Sequence, residues 1–578
     1  MNFNELQNRK DFANKINIPL RNLTYMLYKV GVDNLYEAFE IPKKSGGVRK
    51  INAPSKQLKD IQKKIALQLE NYALSLESYT NNKVAHGFVK GRDIFSNAKI
   101  HRNKKLVLNI DIEDFFNSIH FGRVRGYFKK NNFFLLSEEV SLVIAQICCF
   151  KGSLPQGAPT SPIISNLICQ ILDNRIVKIA KKYKLDYTRY ADDMTFSTND
   201  MNFIDQNSNF IDIIKIELQK AGFKINEDKT RLQYADSRQT VTGLIVNKKI
   251  NIPREYYKLT RAMAHNLYKN GVIVLGDKTK TIEYLEGRFA FINQVEKYNN
   301  IVLLKATNKK NGEKKKKHIK TSKEIEYQKF LYFKNFYQLN KPLIIMEGKT
   351  DILYIKAALK KLYKNYPDLI TRNADGTFNY NIKFFKRSKK IKYFFNMSLD
   401  GADATQFIYD FYSNSKNQNP TYYEYFEKIC SFTPQNPIII ITDNELVVKS
   451  KPLSKLLTYV NLKDNENKMN KFKEDLAINL KANLHLATIP LVKNKKECAM
   501  EDLFDEDLLR IKLGGKTFSI EHKYDNSKYF GKNHFSKYVY NNYKNINFQR
   551  FVKLLDVLND LVVNEKVSDK VSKIPVNQ

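Results

Sequence analysis

An apolar run that stops on a carboxylate reads as the end of a buried strand, and this chain has such runs in two separated regions. The first region holds LVLNIDIEDFFNSI, whose strand ends at Asp111, and TRYADDMTFS, which sets Asp192 and Asp193 in a tight turn between two strands. The second holds KPLIIM, ending at Glu347 with Asp351 in the first turn of the helix that follows, and PIIIIT, ending at Asp443, Asn444 and Glu445. Carboxylates gathered out of water are poorly tolerated unless a cation answers them. Both regions are therefore expected to be α/β folds with metal at their strand ends.

A chain of 578 residues is past the size at which one core keeps growing, so two or three domains are expected. Hydrophobic content of 43%, with 37 Phe and 34 Tyr, suffices to fill them. No run approaches the roughly 18 uninterrupted apolar residues of a membrane span, and the opening MNFNELQNRKDF has no basic-then-apolar leader, which points to the cytosol and no membrane partner. The net charge of +37 would repel itself unless a polyanion neutralises part of it, and nucleic acid is the expected partner. Cys148, Cys149, Cys169, Cys430 and Cys498 lack zinc-type spacing and read as reduced core residues.

Residues 1–250 alternate strand-like runs with amphipathic helices such as IQKKIALQLENYAL, where Ile61, Ile65, Leu67 and Leu69 occupy neighbouring helical positions. Residues 251–335 read as helices with basic faces, including YYKLTRAMAHNLYKNG stopping at Gly271, and then a cationic loop over 305–320. A second α/β domain is expected over 336–510, and 511–578 is basic, rich in Tyr and Asn, and unassigned.

Nucleotidyl transfer uses two Mg²⁺ ions about 4 Å apart, held by hard oxygen ligands from separate strands. Asp111 and Asp192 are the primary candidate ligands, with Asp193 supporting them. Between them lies GSLPQGAPTSPIISNLI, a structured loop entering a helix, and Gln156 and Gly157 are its candidates for contact with an incoming nucleotide. Thr160 or Ser161, followed by Pro162, reads as the cap of that helix.

In this order the segments resemble the palm of a reverse transcriptase, over roughly residues 20–300. The resemblance implies a right-hand polymerase with fingers, a ferredoxin-like palm and a helical thumb, acting on deoxynucleoside triphosphates. It implies that Phe116 is the bulky gate against a ribose 2′ hydroxyl. IPKKSGGVRKINAP resembles the fingers segment, in which Lys44, Arg49 and Lys50 would neutralise triphosphate charge, and GFKINEDKTRL resembles the segment that sets Lys229 near the pyrophosphate leaving group.

Two further patterns resemble retron signatures: Asn97, Ala98 and His101 form NAxxH before the first acidic strand, and Val241, Thr242 and Gly243 form VTG after the Lys229 segment. This narrower resemblance implies a bacterial enzyme. Its substrate would be a cognate structured noncoding RNA, copied into a short DNA that stays branched to the RNA (msDNA), and Asn97, His101 and the VTG residues would take part in RNA recognition. A multimeric ribonucleoprotein is the expected assembly.

The second region resembles a TOPRIM domain, a Rossmann-like metal-binding module of topoisomerases, primases and OLD-type nucleases. The resemblance implies that Glu347 does acid/base work and that Asp351, Asp443 and Glu445 help hold one or two Mg²⁺, with Glu445 standing where the family has a second Asp. SLDGADA adds Asp400 and Asp403 as candidates and CAMEDLF adds Glu501 and Asp502, each equally readable as a cap or a solvated carboxylate. Phosphodiester hydrolysis of a nucleic acid, serving antiphage defence, is the implied activity. The competing readings are a group II intron-type enzyme, a nucleic-acid scaffold with dead acidic sites, and a purely structural C-terminal domain.

Overall fold

Leu106, Val107, Leu108, Ile110 and Ile112 are all buried, so both faces of this run must be covered, and it forms a central strand. The computed structural model describes residues 3–42, 46–308, 319–397, 405–413, 421–492, 495–519, 521 and 524–571. They fall into two compact units, Met1–Tyr257 with Gln294–Lys314, and Lys258–Asn293 with Lys315–Gln578.

In the first unit, strands β1 (Tyr36–Pro42) and β2 (Val48–Pro54) make an antiparallel hairpin, followed by helix α1 (Lys56–Ser75). Helix α1 buries Leu58, Gln62, Ile65, Leu69 and Ala73; Leu67, expected on that face, is exposed because it falls outside this i, i+4, i+7 stripe. Helix α2 (Ile94–Ile100), strand β3 (Leu106–Glu113), helices α3 (Phe121–Lys130) and α4 (Ser161–Lys182), strands β4 (Asp186–Tyr190) and β5 (Asp193–Thr198), helix α5 (Phe203–Lys220) and strand β6 (Lys224–Tyr234) follow. The strands form one antiparallel sheet in the order β4-β5-β3-β6. One core joins Ile110 and Ile112 of β3 to Ile164, Leu167 and Leu172 of α4 and Phe210 of α5.

The second unit is built on a five-stranded sheet. Strand β7 (Leu343–Met346) is followed by helix α6 (Asp351–Lys361), β8 (Lys383–Phe384), β9 (Ile438–Thr442), β10 (Ala477–Lys481) and β11 (Leu484–Thr488), in the sheet order β8-β7-β9-β11-β10. All neighbours are parallel except β10 and β11. Every residue of β7 and β9 is buried, as their unbroken apolar runs require. The unassigned tail folds into this unit: helices α7 (Lys532–Asn541) and α8 (Val552–Val571) place Phe535, Val539, Leu554 and Leu558 in one core with Ile344 and Ile439.

The stretch read as a thumb is not one body. Tyr268 is buried against the rings of Phe333 and Phe426 at 4.8 and 4.9 Å, which ties its segment to the second unit. Tyr298 instead stacks on Phe95 at 5.4 Å within the first. The helix Arg254–Asn270 does stop at Gly271, with φ of 70°. Part of the expected cationic loop is helical, since Ile282–Asn308 is one helix, and 309–318 lie outside the described residues. Among the described residues no helix is long and apolar enough to cross a membrane, and all five cysteines are free, four of them buried.

Candidate active sites

The strands β4 and β5 are joined by a two-residue turn at Ala191 and Asp192, with Tyr190 opposite Asp193. Ala191 takes the left-handed conformation with φ of 57°, unusual for a residue with a Cβ. Three contacts hold it there. Arg189, wholly buried, donates from Nε and Nη2 to both carboxylate oxygens of Asp173 at 2.9 and 2.8 Å. The same guanidinium donates to the Ala191 carbonyl at 3.2 Å. From the other side Gly87 presses so close that a Cβ there would sit 2.6 Å from the Ala191 nitrogen. These supports, with Asn166 donating to the Gly87 carbonyl at 2.8 Å, were not found in the sequence; a lone arginine inside the strand DYTRY was the available signal.

The β3–β5 register sets Asp111 directly opposite Asp193, and the Ile112 amide donates to the Asp192 carbonyl at 3.0 Å. Burial, then the neighbouring Asp192 and Asp111, pushes Asp193 up to about 6. Burial and Asp111 also raise Asp192, with Lys229 and Arg49 pulling the other way. Lys229, on β6, donates to Asp111 Oδ1 at 2.9 Å, a bond that holds its ammonium above the usual value.

Among the described residues no group of three or more His, Cys, Asp or Glu side chains is placed to hold a metal ion by itself. Magnesium rarely uses such a group: it is bound by one or two carboxylates, with water and substrate phosphates filling the remaining positions. Three crowded carboxylates of hard oxygen, two of them raised by burial, fit such an ion.

The Gln156–Gly157 loop packs against β2: the Asn52 amide donates to the Gln156 carbonyl at 3.0 Å, and a Cβ on Gly157 would lie 2.7 Å from the Asn52 oxygen. The Gln156 side chain is half-buried and Arg49 is exposed. Lys44 lies outside the described residues. Thr160 makes no side-chain cap, and Ser161 Oγ instead donates to the Pro155 carbonyl at 2.7 Å. Phe116 is half-buried and touches Phe115 and Phe88, whose rings lie 5.2 and 6.4 Å away; Phe88 also reaches Tyr190 at 6.5 Å. Phe88, exposed and at φ of 59°, is a further residue beside the turn that sequence reading missed.

Asn97 and His101, expected at an RNA surface, are fully buried. Thr188 donates its hydroxyl proton to Asn97 Oδ1, so His101 Nε2 donates to Thr188 Oγ1 at 2.7 Å and Nδ1 accepts from Ser197 at 2.8 Å. The pattern thus fastens α2 to β4 and β5 and has no face open to RNA. Phe95, Ala98 and His101 share an i, i+3 stripe, which was the signal for burial. Val241 is buried too, while Thr242 and Gly243, with φ of 46° and 78°, form the turn of the small hairpin Thr240–Val241 to Leu244–Ile245.

In the second unit β7 and β9 run parallel and bring Glu347 and Asp443 to the same sheet edge. Asp351, at the start of α6, accepts from the Gly348 amide at 2.9 Å, and Asp443 accepts from the Met500 amide at 3.0 Å. Glu501 is 1% exposed and joins them, accepting from Tyr354 at 3.3 Å and Lys532 at 2.9 Å. Burial, then Glu347, Asp351 and Glu501, drives Asp443 up to about 8, and burial raises Glu347, Asp351 and Glu501 as well. Glu347 Oε2 is buried with no hydrogen-bond partner among the described residues. That orphaned oxygen amid surplus negative charge fits a hard divalent cation.

Glu445 is held 2.6 Å from Lys451. Asp502 is a cap, accepting from the Ala499 amide at 2.9 Å, while Asp400 and Asp403 lie outside the described residues. Lys532, from the tail, had no local signal.

Residues 41–285 match the family model described as reverse transcriptase (RNA-dependent DNA polymerase). The retron Ec86 reverse transcriptase of Escherichia coli is 33% identical over 294 residues, covering 50% of this chain and 85% of that protein. The retron Mx162 reverse transcriptase of Myxococcus xanthus is 32% identical over 325 residues, covering 50% of this chain and 64% of that one. Telomerase from Candida albicans aligns with a TM-score of 0.30 and 13% identity, over 57% of this chain and 62% of that chain, a likeness too slight to argue from.

Proposed function

Because this chain belongs to the retron reverse transcriptases, we propose that it copies a cognate structured noncoding RNA into a short DNA that remains branched to that RNA. The observation that carries this reading is the facing pair Asp111 and Asp193 with Asp192 in the buttressed turn between β4 and β5. Asp111 and Asp192, with Asp193 in support, would hold two Mg²⁺, which when bound activate the attacking 3′ oxygen and neutralise the triphosphate. Lys229 keeps Asp111 oriented and stands ready for the charge of the departing pyrophosphate. Arg49 and the Gln156–Gly157 loop line the approach of the deoxynucleotide, and Phe116, backed by Phe88 and Phe115, closes the place a 2′ hydroxyl would need. The +37 charge suits a large RNA partner, gripped through phosphates and stacked bases.

For the second unit the proposal is a TOPRIM-type phosphodiesterase acting on nucleic acid in antiphage defence. Glu347 would be its acid/base group, and Asp351, Asp443 and Glu445 would hold one or two Mg²⁺. Glu501 extends the acidic set and Lys532 keeps it from unbalanced repulsion. A Glu347→Ala variant is expected to polymerise normally and to lose phage resistance; undiminished resistance would leave this unit a structural role.

The polymerase reading is tested by extracting nucleic acid from purified parent and Asp192→Ala protein. A short DNA whose mobility changes after RNase treatment, absent from the variant, is expected. No copurifying DNA, with synthesis on added primer and template intact, would refute the branched product.

A further inference from the structure

Within the first unit, outside the carboxylate site, helices α3, α4 and the end of α5 line a cavity of about 510 Å³ that lies open to solvent. Its lining mixes cationic side chains, Arg123, Arg175 and Lys220, with apolar ones, Tyr127, Ile168 and Leu172. Glu217 answers two of the cations, lying 2.8 Å from Lys220 and 3.7 Å from Arg175. Arg123 is held differently. Its guanidinium lies over the Phe223 ring at 4.6 Å, and its Nη1 is buried with no hydrogen-bond partner among the described residues. A buried donor left unmade is costly, so its retention points to a ligand that completes it. Burial holds the Arg123 pKa below its usual value, consistent with a cation lacking its counter-charge.

Two more features keep the cavity open and donor-rich. Gly126 sits in the middle of α3, where glycine is unfavourable against alanine, yet a Cβ there would meet nothing within 4 Å. Packing does not demand that glycine; it leaves the cavity unfilled. His120 caps α3 by accepting the Arg123 amide on Nδ1 at 3.2 Å, so in the neutral ring Nε2 carries the proton and is a donor.

We propose that this cavity binds one nucleotide, its phosphate on Arg123, Arg175 and Lys220 and its base against Tyr127, Ile168 and Leu172. Planar guanidinium groups suit a phosphate, and the apolar wall accepts a base without reading its sequence. Two sources share this chemistry: an unstacked nucleotide of bound RNA, which rests on the RNA-copying reading above, and a free nucleotide, which does not.

The test compares full-length parent, Arg123→Gln and Gly126→Leu. Gly126→Leu fills the cavity and keeps every charge, so it decides the matter even if Arg123→Gln folds poorly. RNA-free protein is titrated with GMP, with inorganic phosphate as competitor, and the purified ribonucleoprotein is crosslinked with ultraviolet light and mapped by mass spectrometry. Extension of an added primer–template is followed separately and is expected at the parental level in both variants, so failure of the polymerase reading is distinguishable. An RNA source predicts nucleotide adducts on the peptide over 120–127 in the parent and none in the variants. It also predicts roughly tenfold weaker RNA binding and, for Arg123→Gln, a salt slope smaller by about 1. A free-nucleotide source predicts no adduct but GMP binding that both variants weaken at least tenfold. Parental GMP binding and parental adducts in Gly126→Leu overturn the proposal.

Discussion

Each unit gathers carboxylates at strand ends with lysine beside them, but the two clusters are supported in different ways. In the first, the turn that carries Asp192 is fixed from beneath by the buried Arg189–Asp173 pair and from the side by Gly87, and Lys229 reaches Asp111 from the neighbouring strand with its side chain 59% exposed. In the second, Lys532 comes from a helix near the end of the chain and meets a carboxylate that is 1% exposed. The first cluster is thus held by its own sheet. The second depends on a remote helix for charge balance, and Asp443, at about 8, is more strongly perturbed than Asp193, at about 6. Local support fixes strand-end acids within their own sheet; remote support makes them hostage to the docking of another segment.

The largest effect should come from Arg189→Met. It leaves Asp173 buried and unpaired, and a loss of about 3–5 kcal/mol is expected from the urea midpoint, with DNA synthesis falling alongside it. A loss under about 1 kcal/mol would break the contrast. Lys532→Met should cost less, about 1–3 kcal/mol, because its side chain keeps partial contact with water. Glu501→Gln in the same background should restore part of it, and polymerase activity should be untouched. Next, Phe116→Ala should raise ribonucleotide use on the order of tenfold in primer extension, by opening the space a 2′ hydroxyl requires.

The smallest effect concerns pH. Burial, then His86 and Lys104, lowers His101 to about 3 from its ordinary value of 6.5. Its folded value lies below the unfolded one, so the stability it supports is complete above pH 6.5 and is lost as pH falls toward 3. Between about pH 7 and 5.5 the parent should therefore lose about 1 kcal/mol more than His101→Gln, measured by thermal unfolding.

The same contrast governs what the sequence revealed. Asp111, Asp192 and Asp193 were legible because strand, turn and carboxylate lie within a few residues of one another. So were β7 and β9, whose unbroken apolar runs admit only a covered strand. The supports were not. Arg189 stands three residues before Asp192, yet nothing local says that its partner is Asp173 in a helix. Glu501 and Lys532 meet only through the packing of α7 on the sheet, and a lysine's burial is decided by such packing. Asn97 and His101 were given an RNA-recognition role by resemblance to a retron signature, when the i, i+3 spacing of Phe95, Ala98 and His101 already marked an inward face.

The proposed function puts catalysis on Asp111, Asp192 and Asp193, and the most direct measurement is DNA synthesis on an RNA template with an annealed primer in Mg²⁺, comparing parent with Asp192→Asn. The parent should extend the primer, and the variant, folded to the same thermal midpoint, should be slower by on the order of 10³-fold or more. Extension by the variant at the parental rate, or none by the parent, would contradict the assignment.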